Sequence, residues 1–289
     1  MISIDILKKI REIEINTRRI LTSGRVGESQ SAVKGSGFDF DQIRDYQIGD
    51  DVRSIDWKSS ARCNKLLVKQ YIEERSRTII LAVDLSASHT FASGIQLKSD
   101  GMLEIATMFA LVATQAKDSV GLLLFSEDVE LFIPPNSGMS HAHMLITRMY
   151  NHKRQGSKTV IASACQRIAS LPIKNAIVFL ISDFIDDNFE KPLRIVAKQH
   201  DLIAVRCLDT HEKSIAPVGF ITVQDSETGQ EFVLDLRSRG KKRVDHYLTN
   251  RFKDQTTFLQ ESGVDILDIE IGRPFFADIV RFFQKRMIA

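Results

Sequence analysis

The sequence predicts an α/β protein built on a doubly wound, mostly parallel sheet. Three observations point there. Residues 78–83, 176–181 and 202–208 are nearly unbroken apolar runs rich in β-branched side chains, the pattern of strands covered on both faces. Amphipathic helical stretches separate these runs, as the crossovers of a parallel sheet require. Side chains bearing oxygen follow two of the runs directly, at the strand ends where such sheets bind ligands.

The elements follow in order. Residues 3–22 carry Ile4, Leu7, Ile10, Ile13 (or Ile15) and Ile20 at helical spacing and stop at Ser23-Gly24. Residues 24–62 are polar and rich in Gly, Ser and Asp. They also hold Phe38, Phe40, Ile43, Tyr46, Ile48, Val52, Ile55 and Trp57, too many apolar anchors for a disordered linker. The expectation is an N-terminal helix and ordered extension over 1–75, packed on a main domain over 76–289. A strand at 65–73 precedes the first buried run. A helix over 99–117 leads to a hairpin at 119–135 that turns near Ser126-Glu127-Asp128. Helices are predicted at 140–150, 159–170 and 189–199. A small antiparallel hairpin insertion is read from 220–223 and 231–236 around Ser226-Glu227-Thr228-Gly229. A charged helix over 239–261, a strand at 264–269 and a helix opening at Pro274, a residue suited to a first helical turn, complete the chain.

With 289 residues, of which 43% are hydrophobic, the chain can bury a sizeable core. Its 39 Lys and Arg nearly balance 37 Asp and Glu, which argues against nucleic acid or an anionic membrane as partner. The three cysteines, Cys63, Cys165 and Cys207, form no C-x-x-C pair, so neither a disulfide framework nor a zinc ribbon is expected. Cys165 reads as core packing. The N-terminal segment is too charged for a signal peptide, and no apolar run has membrane-spanning length. A cytoplasmic protein without a membrane span is the expectation.

The chemistry sits at the strand ends. Asp84-Leu85-Ser86-Ala87-Ser88 follows the first buried run as D-x-S-x-S, Ser182-Asp183 follows the second, and Thr159 stands at a predicted helix start. All are oxygen donors, with no His or Cys among them. Such a set suits a hard cation such as Mg²⁺ (or Mn²⁺ or Ca²⁺), bound in the Mg²⁺ case at roughly 2.0–2.1 Å with some waters kept. Asp84, Ser86, Ser88, Thr159 and Asp183 are therefore the candidate metal ligands. Weakly donating hydroxyls would leave the ion Lewis-acidic toward a carboxylate from a partner protein. A simpler account of any one of these residues is a helix N-cap; three features at three separate element ends favour the metal site.

The order D-x-S-x-S, then Thr159, then Asp183 resembles the metal-ion-dependent adhesion site of von Willebrand factor type A domains. Residues 37–58 (GFDFDQIRDYQIGDDVRSIDWK) resemble the signature of a bacterial family catalogued as domain of unknown function fifty-eight. The likeness continues through Ala61-Arg62, 65–69 and 73–75 to the turn at 225–229 and the C-terminal helix. It implies a type A-like sheet and partnership with a MoxR-type AAA+ ATPase, with the chain serving as an adaptor in protein complex assembly or maturation. Family members often carry N-terminal membrane helices, and this sequence shows no such stretch. Within the signature, Asp39, Asp41, Asp45, Asp50, Asp51 and Asp56 interleave with Arg44, Arg53, Lys58 and Arg62. One reading is a loop braced by ion pairs and anchored by Trp57 and Tyr46. The other is a docking surface or lid in which Arg44, Arg53, Trp57 and Lys58 meet a partner.

His141, His143 and His152 lack a fourth ligand, so polar helix residues suit them better than zinc. Asp186 and Asp187 could extend a carboxylate cluster or cap the following helix, and the cap is favoured. The basic run from Arg237 to Arg243 reads as a solvated face. No phosphate-binding glycine loop or serine nucleophile elbow is present. An Mg²⁺-dependent hydrolase or phosphotransferase using Asp84 as nucleophile is the rival from another class. It normally needs a second acid at position 86, where Ser stands, and a Lys near the phosphate, which no strand end supplies.

Overall fold

The computed structural model describes residues 34–35, 39–72, 76–86, 97–156, 158–186, 188–208, 219–224, 231–235 and 237–288. The helix expected at 3–22, the turn at 226–229, Ser88 and Asp187 lie outside them. The chain divides into two compact units, one spanning Arg25–Ser76 and the other containing Arg77–Ala289.

In the first unit, strands β1 (Lys34–Gly35) and β2 (Asp39–Asp45) both pair antiparallel with β3 (Leu67–Ile72), giving the order β1-β3-β2. A one-turn 3₁₀ segment at Val52–Ser54 and helix α1 (Trp57–Cys63) fill the connection. Each start is capped by an aspartate. Asp51 accepts from the Arg53 backbone N–H, and Asp56 accepts from the N–H groups of Lys58 and Ser59. The helix stops at Asn64, which takes the left-handed conformation (φ 53°) that Asn tolerates.

The second unit holds the six-stranded sheet. Its strands are β4 (Thr78–Asp84), β5 (Ser119–Phe125), β6 (Val129–Asn136), β7 (Ile177–Ser182), β8 (Asp201–Leu208) and β11 (Asp265–Glu270). The order is β11-β8-β7-β4-β5-β6, with every neighbouring pair parallel except the β5–β6 hairpin. From β4 the chain builds outward through β5 and β6, then crosses back to lay β7, β8 and β11 on the other side. Strand order therefore reverses at β4, and the carboxyl ends of β4 and β7 flank the crevice where this architecture receives ligands.

Alternation along β4 assigns the two faces. Ile79, Leu81 and Val83 pack with Met102, Ile105 and Phe109 of α2 (Lys98–Gln115), Leu145 of α3 (Met139–Asn151) and Ile279 of α7 (Phe276–Ile288). Ile80 and Ala82 pack with Ile161 and Cys165 of α4 (Ile161–Ala169), Leu193 of α5 (Glu190–Gln199) and Leu259 of α6 (Ser238–Glu261). Helices cover both faces, which is why these strands are apolar throughout. The expected insertion is the antiparallel pair β9 (Phe220–Gln224) and β10 (Glu231–Asp235). Among the described residues, no helix is long and apolar enough to cross a membrane.

Candidate functional site

Asp84 ends β4 as a completely buried carboxylate, and Ser86, two residues on, is also buried. The Asp84 carboxylate shapes its own loop: Oδ1 accepts the Ser86 N–H at 2.9 Å. Its Oδ2 accepts the hydroxyl of Ser182 at 2.7 Å, which ties the end of β4 to the end of β7. Asp183 is next along the chain. Its Oδ1 takes the Ile185 N–H at 2.9 Å, and Phe184 between them is held at φ 59° with its N–H on the Ser182 hydroxyl. A buried Phe in the left-handed region is a strained conformation, of the kind found where a neighbouring side chain is being aimed. Here that neighbour is Asp183.

Thr159 reaches the same crevice by another route. It does not start a helix by capping it. The N-cap of α4 is Val160, which offers no side-chain cap, and Thr159 stands one residue before that. Two tethers hold this segment. The Val160 N–H donates to the Ser126 carbonyl at the end of β5 (2.9 Å), and the Ile161 N–H donates to Asp186 Oδ2 (2.7 Å). Since Phe125 is the register partner of Asp84, the first tether puts Thr159 over the strand end adjoining Asp84. Asp186 therefore supplies the missing cap, but to α4, twenty-five residues back, rather than to the helix that follows it.

The loop leading to Thr159 is organised by Glu130, a residue the sequence reading passed over. Its carboxylate accepts from the Ser126 hydroxyl, the His152 ring (2.6 Å) and the backbone N–H groups of Gln155 and Gly156 (3.1 Å each). Burial alone would raise this carboxyl, but the four donors outweigh it and hold it below the usual range. Gly156 is required because a Cβ there would overlap the Ser126 hydroxyl.

Lys98 is the other residue not foreseen. It is the first residue of α2 and only 3% exposed, and its Nζ lies 3.0 Å from Asp183 Oδ2. No strand end supplies a lysine, as expected, but one reaches Asp183 from a helix. Of the five candidate ligands, Asp84, Ser86 and Asp183 follow adjoining strand ends tied by the Ser182–Asp84 bond, the Thr159 segment is tied to the neighbouring strand end through Ser126, and Ser88 is outside the described residues. The oxygen-only character of these donors fits a hard divalent ion. Among the described residues no three His, Cys, Asp or Glu side chains cluster as a metal-binding group, so a site here depends on the hydroxyls. His141 bonds the Val120 carbonyl (2.8 Å) and His152 bonds Glu130, which accounts for both without zinc.

The signature segment divides between its two readings. Arg44 clamps Asp50 with two bonds of 2.6 and 2.7 Å, and this hydrogen-bonded guanidinium holds the Asp50 carboxyl down at about 2. That is bracing. Trp57 is 64% exposed, however. Arg53 and Lys58 are exposed and contribute backbone N–H groups to the aspartate caps, with no ion pair of their side chains among the described residues. Cys165 is buried, and burial pushes its thiol up to about 12.

Comparison with known proteins places the chain. The family described as "Protein of unknown function DUF58" matches residues 42–255. An uncharacterized protein of Mycobacterium tuberculosis, Rv1480, is 27% identical, over 96% of this chain and 88% of its own length. The uncharacterized protein YeaD of Bacillus subtilis is 39% identical over a short stretch covering 17% of this chain and 12% of that protein. Among solved structures, the conserved hypothetical protein BatB from Bacteroides thetaiotaomicron aligns with TM-score 0.46 and 14% identity, covering 74% of this chain and all of that one.

Proposed function

The chain belongs to the DUF58 family, and on that premise we propose that its larger unit is a metal-dependent protein-binding module of the von Willebrand factor type A kind. Asp84, Ser86, Ser88, Thr159 and Asp183 would hold Mg²⁺ or a similar ion, directly or through water. When bound, the ion supplies a Lewis-acidic position for a carboxylate from a partner protein. The chain's own residues do the positioning. Ser182 orients Asp84, the strained Phe184 turn aims Asp183, and the Glu130 hub with the Asp186 cap fixes the approach of Thr159. The partner we propose is a MoxR-type AAA+ ATPase, met in the cytoplasm, with this chain as its adaptor.

The observation carrying this reading is the tie between strand ends: Ser182 bonded to Asp84, with the Thr159 segment bonded to both Ser126 and Asp186. These bonds support it by bringing three oxygen-bearing segments far apart in sequence to neighbouring strand ends. Calorimetric titration of the full chain with Mg²⁺ and Mn²⁺ tests it. Binding is expected for the native sequence and lost in Asp84→Ala, with partner capture removed by EDTA. An ion-independent capture, equal for both proteins, would overturn it.

A second reading gains one observation. The lysine that a phosphohydrolase needs is present as Lys98, beside Asp183. What works against it is position 86, where Ser stands in place of the second acid this chemistry needs. Turnover of phosphoesters that disappears in Asp84→Ala would favour the enzyme.

A further inference from the structure

Lys98 stands where elementary electrostatics would not put a lysine. As the first residue of α2 it places its positive charge at the positive end of the helix dipole. It is also almost wholly buried, and lysine is rarely so unless paired. What holds it is Asp183, whose side chain is 1% exposed against 3% for Lys98. A buried carboxylate needs a counter-charge. In this crevice an ammonium provides it, at 3.0 Å, on a carboxylate that the metal reading assigns to the ion.

We propose that Lys98 is an intramolecular competitor of the divalent cation: its ammonium and the ion are alternative counter-charges for Asp183, and metal binding requires Lys98 to leave. The proposal rests on the metal reading and adds to it a residue that sets affinity. An ammonium and a dication on one buried carboxylate repel, in surroundings that screen them poorly. Lysine suits the role because its charge rides on a flexible four-carbon stem, so Nζ can swing away while the backbone of α2 stays in place. The lysine-paired form binds no ion at Asp183, so apparent metal affinity is scaled down to the fraction of molecules in which Lys98 has left. Lys98 also keeps the crevice folded and neutralised before an ion arrives, which a bare pair of buried aspartates would not do.

The test compares the full chain with Lys98→Met, measuring Mn²⁺ binding by electron paramagnetic resonance and melting temperature with Mn²⁺ or with EDTA. The expected result is binding tighter by roughly tenfold or more in Lys98→Met, with a melting point lowered in EDTA and restored by Mn²⁺. If the native chain binds Mn²⁺ and Lys98→Met binds equally or more weakly, the competition is wrong and the metal reading stands. If neither protein binds, the metal reading fails and this proposal with it. Should Lys98→Met not fold in EDTA, Lys98→Gln is prepared alongside it in Mn²⁺. Folding that depends on the ion supports the proposal, and unfolding with or without it overturns the proposal.

Discussion

Replacing Glu130 by Gln changes one atom in the hub that carries the loop toward Thr159. Glu130 offers two oxygens to four donors. Gln keeps one oxygen and turns an NH₂ toward two of those donors. If the amide faces Oε2's partners, the His152 ring can change tautomer and accept, but the Gln155 N–H cannot. If it faces Oε1's partners, the Ser126 hydroxyl can rotate and accept, but the Gly156 N–H cannot. Either way one backbone donor loses its acceptor, at about 1–3 kcal/mol, and the bonds that remain lose their charge assistance. The sum is about 2–4 kcal/mol, which at this chain length corresponds to roughly 3–7 °C in melting temperature. The local readout is hydrogen exchange. The amide of Gln155 or of Gly156, whichever the new NH₂ faces, should exchange much faster in Glu130→Gln, with those of β4 unaffected. Melting within a degree of the native chain and unchanged protection at both amides would refute the view that Glu130 organises this loop.

Arg206 yields a ranking. It is 1% exposed, bonds Asp268 through two nitrogens at 2.7 and 3.0 Å, and lies 3.7 Å over the Phe252 ring, while the Asp268 side chain is 43% exposed. Removing the acid strands a buried guanidinium, whereas removing the base leaves a carboxylate that water can reach. Asp268→Ala should therefore cost about 3–5 kcal/mol and Arg206→Met distinctly less, measured as urea midpoints; the opposite order would show that the pair is not governed by desolvation. In the smaller unit, Asp50 is lowered to about 2 by its bonds to Arg44. A depressed carboxyl contributes stability above its unfolded value near 3.9 that is lost as pH falls through the folded one. Exchange of the Gln47 amide, which donates to Asp50 Oδ2 at 2.8 Å, should accelerate between pH 4 and about 2 and do so less in Asp50→Asn.

Much of the sheet was legible because parallel strands covered on both faces have only one composition. The runs ending at Asp84, Ser182 and Leu208 are apolar on nearly every residue that faces either helical layer, Arg206 being the exception, and turn residues bound them. Strand order was not legible, since it depends on which crossovers pass which edge, yet that order is what sets Asp84 beside Ser182. The donors were legible as residue types after strands. Their supports were not. Glu130 reads locally as one acid among the polar residues of a hairpin, and its meaning comes from partners 22 to 26 residues away. Asp186 looks like a cap for the next helix because caps are usually local, and here the free N–H belongs to α4. Trp57 read as an anchor from its size, but size says how much surface a side chain could bury, not whether a surface is there to cover it.

The lysine shows why a ligand pattern underdetermines a site. D-x-S-x-S with a distant Thr and Asp specifies donors and their order, and every one of those residues would be chosen equally for an ion held permanently or one held in exchange. What separates the two is the charge balance of the buried volume, and that is set by a residue outside the pattern. Asp84 and Asp183 bring two negative charges below the surface, and Ser182 and Ser86 bond Asp84 without adding charge. Lys98 pairs with Asp183, so an incoming ion meets the cost of expelling the ammonium. Swapping Lys98 for a neutral residue of similar length changes only that cost. The donor pattern would be untouched, so any change in ion affinity measures the part of the site that the pattern does not contain.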